Sequence, residues 1–316
     1  MVNSSLPTVS FIIPTLNAER YLGKCLESIK KQEYPVKNFE IFIIDGGSSD
    51  KTLEIAKKYE VKALNNPLKD AESGKSIGIL NSHGEVIVLM DSDNEIVKKD
   101  WLKKMVRPLI QNPDLFGVES LYFSKEGESI FNTYSMIVHI ADPFSRCLAA
   151  RLKAKKCDGF IELTIPEGSA YPLGANGFLW NRRIIEKVGV YKPKFEESNF
   201  SYFATKMGYR KFARVPGYGI YHYHIDSLFD FIQKRLKIGN KFLNRKDEKK
   251  RTWLEGVSKL RFIFSFLYCS TLIGPLLEGL FNFLKTRQKA WLLHPLMSFI
   301  SVVTYVYVFA VRRIFK

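Results

Sequence analysis

Three short clusters in this chain hold side chains whose types and spacing suit chemistry on an anionic substrate. The first is Asp91-Ser92-Asp93, which closes the apolar run Val86–Met90. That run does not alternate and starts just after Gly84, the pattern of a strand buried on both faces. Residues two apart in an extended chain point to the same side. Two carboxylates would then emerge together where the strand leaves its sheet, and would repel. A hard divalent cation, Mg²⁺ or Mn²⁺, carrying an oxyanion substrate would relieve the repulsion. The same residues also suit a polar turn or a helix cap. The second cluster is Glu196-Glu197 at an expected helix start, either a cap that complements the helix dipole or the seat of a general base. The third is His222 and His224, which alternation places on one face of a strand. The spacing suits a metal and equally a structural, aromatic-rich strand.

The elements that must position these clusters alternate regularly. Strands are predicted over residues 9–13, 39–44, 61–64 and 86–90, and helices over 21–31, 51–59, 73–82 and 99–111. This is α/β architecture with a mostly parallel sheet and flanking helices. Ligands of such sheets bind at the carboxyl ends of the strands, where Pro14–Glu19, Asp45–Asp50 and Asp91–Glu95 fall. No G-x-G-x-x-G follows the first strand, and Gly74-Lys75-Ser76 lacks the preceding glycine of a P-loop, so neither phosphate-binding motif is present. A carboxylate such as Asp45 could accept from a ribose hydroxyl or a base N–H, and Gly46-Gly47 lets backbone approach a ligand closely. Lys75 could donate to a diphosphate or be a solvated lysine at a helix start. The aromatic stretch 129–156, broken at Asp142-Pro143, reads as a cover over the site or a membrane-facing element. A strand over 178–180 and helices over 183–188 and 195–207 follow.

Composition bears on partners. Lys and Arg number 48 against 32 acids, a net charge of +16, which calls for an anionic partner. Eleven of the basic residues, against three acids, lie between Lys234 and Arg261. Cys25, Cys147, Cys157 and Cys269 have neither metal-knuckle nor redox spacing and suit reduced thiols. Phe262–Leu284 is 23 residues with one charge, Glu278, and Ala290–Val311 is 22 with none. Each is long enough to cross a hydrocarbon core of about 30 Å as a helix. The organisation expected is a catalytic domain at 1–227, a basic amphipathic membrane-surface segment at 228–261, and a two-helix transmembrane hairpin with a short basic tail at 262–316. The distribution of basic residues places the catalytic domain and the tail on the cytoplasmic side of the cell membrane. Gly274, Pro275 and Glu278 leave open a re-entrant or in-plane arrangement of the first span. Membrane lipids account for the basic charge, and no nucleic-acid motif is present.

With these residues in hand, the chain resembles the inverting glycosyltransferases of family 2, which have the GT-A fold. The resemblance covers roughly Val9 to Ser227. It rests on Ile13–Glu19, Ile43–Thr52, Gly84–Asp93, Gly174–Gly177, Glu196-Glu197 and Tyr221-His222, in that order and spacing. It implies a nucleoside-diphosphate sugar donor, UDP- or GDP-linked, with Pro14, Thr15, Asn17, Glu19, Asp45, Gly46, Lys75 and Ser92 on the donor side. It further implies Mg²⁺ or Mn²⁺ on Asp91 and Asp93, completed by His222, with Glu95 and His224 as further residues near the metal. The base position matches Glu197, where the family usually has Asp, and Glu196 could substitute; the second acid usual two residues on is Asn199. The Gln-x-x-Arg-Trp signature of processive members is absent, which implies addition of a single sugar. The expected acceptor is a hydroxyl of a polyprenyl-linked saccharide. A polyprenyl-phosphate glycosyl synthase and a non-catalytic nucleotide-sugar-binding membrane protein remain as alternatives.

Overall fold

The computed structural model describes residues 6–139, 142–169, 171–174, 176–244 and 253–314. Ala175, from the expected turn at 174–177, lies outside the described residues. So do Arg245, Lys246, Lys249, Lys250, Arg251 and Lys316 of the expected basic surface. The chain divides into two units, Met1–Tyr122 with Arg151–His222, and Phe123–Ala150 with Tyr223–Lys316.

The first unit begins as the apolar pattern predicts. In order come β1 (Val9–Thr15), α1 (Glu19–Lys30), β2 (Phe39–Asp45), α2 (Thr52–Lys58), β3 (Lys62–Asn65), α3 (Ala71–Asn81) and β4 (Val86–Leu89). β5 (Asn94–Ile96), α4 (Trp101–Gln111) and β6 (Gly117–Phe123) follow. After α5 (Ile130–Ile137) and α6 (Pro143–Leu148) of the second unit, the first resumes with β7 (Lys153–Cys157), β8 (Phe160–Thr164) and β9 (Phe178–Asn181). It ends with α7 (Arg182–Val188), α8 (Glu197–Lys206) and β10 (Lys211–His222).

All these strands form one ten-stranded sheet in the order β3-β2-β1-β4-β9-β6-β10-β8-β7, with β5 on β10. β3, β2, β1 and β4 pair in parallel. β9 joins β4 antiparallel, as do β6 to β9, β8 and β5 to β10, and β7 to β8. The sheet is therefore mixed, which corrects the mostly parallel expectation. The reason is local in one place: β7 and β8 meet at Cys157↔Phe160 across Asp158-Gly159, with Gly159 at φ 82°. Asp-Gly is a hairpin turn signal, and a hairpin enforces antiparallel pairing.

β1 and β4 lie in the sheet interior and are fully buried along Phe11–Ile13 and Ile87–Leu89. α3 covers β1 at close range, because a Cβ on Gly78 would stand 2.3 Å from the Ile12 Cγ2. That approach sets the depth of Lys75, one turn earlier on the same helix.

The second unit is helical: α5, α6, α9 (Leu228–Asn244), α10 (Lys259–Thr271), α11 (Ile273–Thr286) and α12 (His294–Ile314). The stretch 262–284, expected as one crossing helix, is instead the pair α10 and α11, bent by 75°. Leu272 between them takes the left-handed φ of 63°, and Pro275 has no N–H to carry the helical ladder through the break. Among the described residues one helix, Lys289–Val311, is long and apolar enough to cross a membrane by itself.

Gly78→Ala should destabilise the protein by about 1–3 kcal/mol through overpacking against β1. Chemical denaturation of the variant checks this, and an unchanged midpoint would contradict the close α3–β1 contact.

Candidate active site

The loops after β1 and β2 are laced into one ledge. In the parallel register Thr15 stands beside Asp45, and the Thr15 Oγ1 donates to the Asp45 Oδ1 at 3.1 Å. Asp45 Oδ1 also accepts from the Ser48 hydroxyl at 2.5 Å, and its Oδ2 from the Gly47 and Ser48 amides at 2.9 Å each. Gly47 adopts φ 87° to aim its amide this way, a conformation that costs glycine little. Across the ledge, Asn17 at φ 51° donates its amide to the Ser48 Oγ at 2.8 Å, and its side chain accepts from the Ser49 amide at 2.9 Å. Glu19 N bonds the Asp50 Oδ2 at 3.0 Å, while Lys51 N returns to the Glu19 Oε2 at 3.1 Å. Pro14, Thr15, Asn17, Glu19, Asp45 and Gly46, the residues expected on the donor side, are thus brought together on one ledge. A carboxylate offers about four lone-pair sites, and Asp45 uses four, three on donors of its own loop and one on Thr15. Burial pushes its carboxyl up, but the Ser48, Gly47 and Thr15 donors outweigh burial and hold it below the ordinary carboxylate range.

The chain beyond β4 is a turn, not the extended segment expected. The Asp91 amide donates to the Asn94 Oδ1 at 3.0 Å, and the Asn94 amide to the Asp91 carbonyl at 3.1 Å. Asn94, buried, then opens β5, whose register sets it opposite His222 on β10. The turn carries Asp93 to His222, with Asp93 Oδ1 at 3.3 Å from the His222 Nε2. Beneath it lies Cys25, whose Sγ is 3.8 Å from the Asp91 carbonyl. Burial first, then the charges of Asp93 and Asp91, push that thiol up. Ser92 is half-buried at the tip. Glu95 pairs with Tyr221, one residue out of step with His222, so strand alternation turns it to the opposite face. There its charge acts on Lys31 of the α1 C-terminus. His224 lies past the end of β10, in the second unit, where its Nδ1 is 2.8 Å from the Lys234 Nζ.

The acids at the start of α8 are held by aromatic packing. Phe195 and Phe200 meet the Trp180 ring edge-on, with centroids 5.3 and 5.2 Å away. The Phe195 amide donates to the Glu72 carbonyl on α3 at 3.0 Å, and Lys194 pairs with Asp70 at 3.2 Å. This ties the α8 N-terminus to α3, and the result is an ion pair and hydrogen bond between Lys75 and Glu197. The two residues are 6% and 7% exposed. Burial opposes the charge of Lys75, but Glu197, Asp91 and Glu72 outweigh it and hold the ammonium protonated. Burial raises Glu197 above the ordinary carboxylate range in spite of Lys75. Glu196 is half-buried, and its Oε2 accepts from the Asn199 side chain. Sequence reasoning missed the roles of Asn94 and of the Lys75–Glu197 contact. The first had a local signal, an Asn capping its own turn; the second joins residues 122 positions apart.

The parallel β3-β2-β1-β4 half, the acidic turn after β4 and the antiparallel return through β9 are a GT-A-like arrangement. A mannosyltransferase from Pyrobaculum calidifontis, solved with GDP-Man and Mn²⁺, shares this fold at a TM-score of 0.58 and 14% identity. The likeness covers 96% of this chain and 88% of that one. Residues 10–163 match the Glycosyl transferase family 2 model, so this part of the chain carries a family 2 glycosyltransferase domain. A relative from Methanococcus voltae is named dolichyl N-acetyl-alpha-D-glucosaminyl phosphate 3-beta-D-2,3-diacetamido-2,3-dideoxy-beta-D-glucuronosyltransferase. It is 24% identical over 92% of each chain. Glycosyltransferase AglE of Haloferax volcanii is 32% identical over 52% of this chain and 56% of its own.

Asp45→Asn would set an NH₂ or a neutral oxygen against donors that now meet a carboxylate, costing about 1–3 kcal/mol. The folded Asp45 pKa is lowered, so its contribution is full above the unfolded carboxylate value and is lost as pH falls through the folded one. The stability gap between wild type and variant should therefore be widest near neutrality and shrink below about pH 4. Urea titrations at several pH values measure it, and a gap that widens toward acid would contradict the arrangement.

Proposed function

We propose that the chain transfers one sugar from a nucleoside-diphosphate sugar to a hydroxyl of a polyprenyl-linked saccharide, with inversion at the anomeric carbon. One observation carries the reading. The buried Lys75–Glu197 pair ties a cation suited to the donor diphosphate to a carboxylate suited to deprotonating the acceptor, and the charge of Asp91 reaches that cation. The name of the Methanococcus voltae relative supports the acceptor class, because it describes transfer to a sugar on dolichyl phosphate.

The residues also fit a metal. Asp93 and His222 converge with one oxygen and one nitrogen within reach of a single ion. A mixed oxygen and imidazole set suits Mn²⁺ better than Mg²⁺, which prefers oxygen ligands. Asp93 and His222, with Asp91 at the same turn, would hold the ion, which when bound neutralises charge on the diphosphate leaving group.

The remaining steps belong to this chain. The ledge of Thr15, Asn17, Glu19 and the 45–50 loop receives the nucleoside, with Ser92 at the edge of the acidic turn. The incoming diphosphate draws the Lys75 ammonium, loosening its hold on Glu197. Glu197 then takes the acceptor hydroxyl proton as the acceptor oxygen bonds to the anomeric carbon. The bond from that carbon to the diphosphate breaks, and its electron pair leaves with the diphosphate. A pKa raised by burial brings a carboxylate closer to the operating pH and makes it a better base.

Glu197→Gln should lower the transfer rate by about 10²–10⁴-fold while donor binding persists; full transfer by this variant would remove Glu197 as the base. Lys75→Met should raise the Glu197 pKa further, because the neighbouring cation is lost, and so shift the acid limb of the rate profile to higher pH. An unmoved limb would separate Lys75 from the base. Asp93→Asn and His222→Gln should each weaken Mn²⁺ binding at least about tenfold in calorimetric titration, and unchanged binding by both would place the metal elsewhere.

A further inference from the structure

The second unit presents two outer surfaces of opposite character. On α10 and α11 the exposed side chains include Phe264, Ile273, Leu277, Phe281 and Leu284, each between 61% and 67% exposed. Among the described residues from Leu260 to Leu284, none of the exposed ones is charged. The acid within this stretch, Glu278, is turned inward, 2.6 Å from the Arg146 Nη1 and accepting from the Tyr268 hydroxyl at 2.5 Å. Exposed basic residues bracket the apolar face, with Lys259 at one end and Lys285, Arg287 and Lys289 at the other. α12 continues the apolar face through Phe299, Val303, Val306 and Phe309.

The other side of α12 is covered by α9. The fully buried Arg235 reaches the Asp142 Oδ2 at 3.0 Å, and the Tyr305 hydroxyl reaches the same oxygen at 2.9 Å. Gly239 lets α9 come close enough that a Cβ there would lie 3.3–3.4 Å from Val308 and Tyr305. The outward side of α9 exposes Gln233, Lys237 and Asn240, with two exposed apolar residues, Phe229 and Ile238, on the same helix. At 1.5 Å per residue Tyr305 lies only about 8 Å from the middle of the Lys289–Val311 stretch. Were α12 to cross a bilayer, its companion α9 would hold those polar groups at hydrocarbon depth, which is costly. The bend between α10 and α11 likewise suits a pair lying along a surface better than one crossing it.

We propose that the second unit is a single-leaflet anchor. α10, α11 and the outer side of α12 sink into the acyl region of one leaflet of an anionic bilayer. The bracketing lysines and arginines meet its phosphates, α9 stays on the water side, and no helix crosses. The expected crossing hairpin is replaced by one continuous apolar face, and the linker at 285–289 and the C-terminal tail remain on the side of the first unit.

The test uses the full chain in sealed inverted membrane vesicles from cells that make it, with orientation set by tryptic cleavage of the first unit. One form carries Gln288→Cys in a C147S/C157S background, and another a C-terminal epitope tag. A membrane-impermeant maleimide and a protease should reach the two sites fully without detergent. Protection of the linker alone would establish the two-crossing hairpin, and protection of the tag alone a single crossing by α12; either overturns the proposal. Depth is read separately. Tryptophan at Phe264 or Phe281, in phosphatidylcholine–phosphatidylglycerol vesicles, should be quenched at least twofold more by lipids brominated near the headgroup than by those brominated near the chain end. The reverse order, or no quenching at either position, also overturns it.

Discussion

An ion pair buried between two helices from distant parts of the chain makes a demand on everything around it. Taking both charges out of water costs several kcal/mol per ion, and attraction repays this only when the geometry is held. Lys75 and Glu197 are both nearly inaccessible, so α3 and the start of α8 cannot drift independently. Three features hold them. Gly78 lets α3 lie directly on β1. The Phe195 amide is fixed to the Glu72 carbonyl. Trp180 receives Phe195 and Phe200 on either side of the acidic pair. Removing one partner alone would leave an uncompensated buried charge, at about 3–5 kcal/mol.

That demand explains how the first unit divides its work. The parallel half supplies a ledge whose polar side chains mostly bind one another, so its shape is set before any ligand arrives. The antiparallel half supplies β10, which delivers His222 to Asp93 by register. Thr15 and Asp45 are likewise neighbours because β1 and β2 run in parallel without a slip. In each case the sheet fixes a distance between side chains that no local turn could fix.

The parallel half was legible in the sequence because a strand buried on both faces must be apolar throughout. β1, β2 and β4 show that pattern, and the loops at their carboxyl ends follow from it. The antiparallel half was harder to read. β6, β7 and β8 carry mixed exposure, so they lack a continuous apolar run, and the Asp158-Gly159 turn was the one strong local signal. Asp91 and Asp93 were read as members of an extended segment, whereas they stand in a turn. Asn94 bends that segment by bonding back to the Asp91 amide, a choice made by one side chain that periodicity does not see. Glu95 illustrates the same limit, since one step of strand register turns it away from His222. The Lys75–Glu197 contact was not legible at all, because its partners come together only through the packing of α3 on β1 and of α8 on Trp180. In the second unit, the length and apolarity of residues 262–284 suggested a straight helix, whereas the left-handed Leu272 and Pro275 break it.

The two departures from the family pattern at the acidic pair can be understood together. Glu197 is one methylene longer than the usual Asp, and its carboxylate lies against Lys75 in a buried space. Asn199 replaces a second acid, and its side-chain amide donates to the Glu196 carboxylate. An Asp at 199 would put a third negative charge within one turn of helix beside two others, with Lys75 already committed to Glu197. Repulsion would then raise the pKa of all three. Asn199 removes one charge and converts that repulsion into a hydrogen bond, so Glu196 is satisfied locally and does not compete for Lys75. The longer acid and the neutral residue two positions on are therefore parts of one electrostatic arrangement, in which Lys75 pairs directly with Glu197 while Asn199 bonds Glu196.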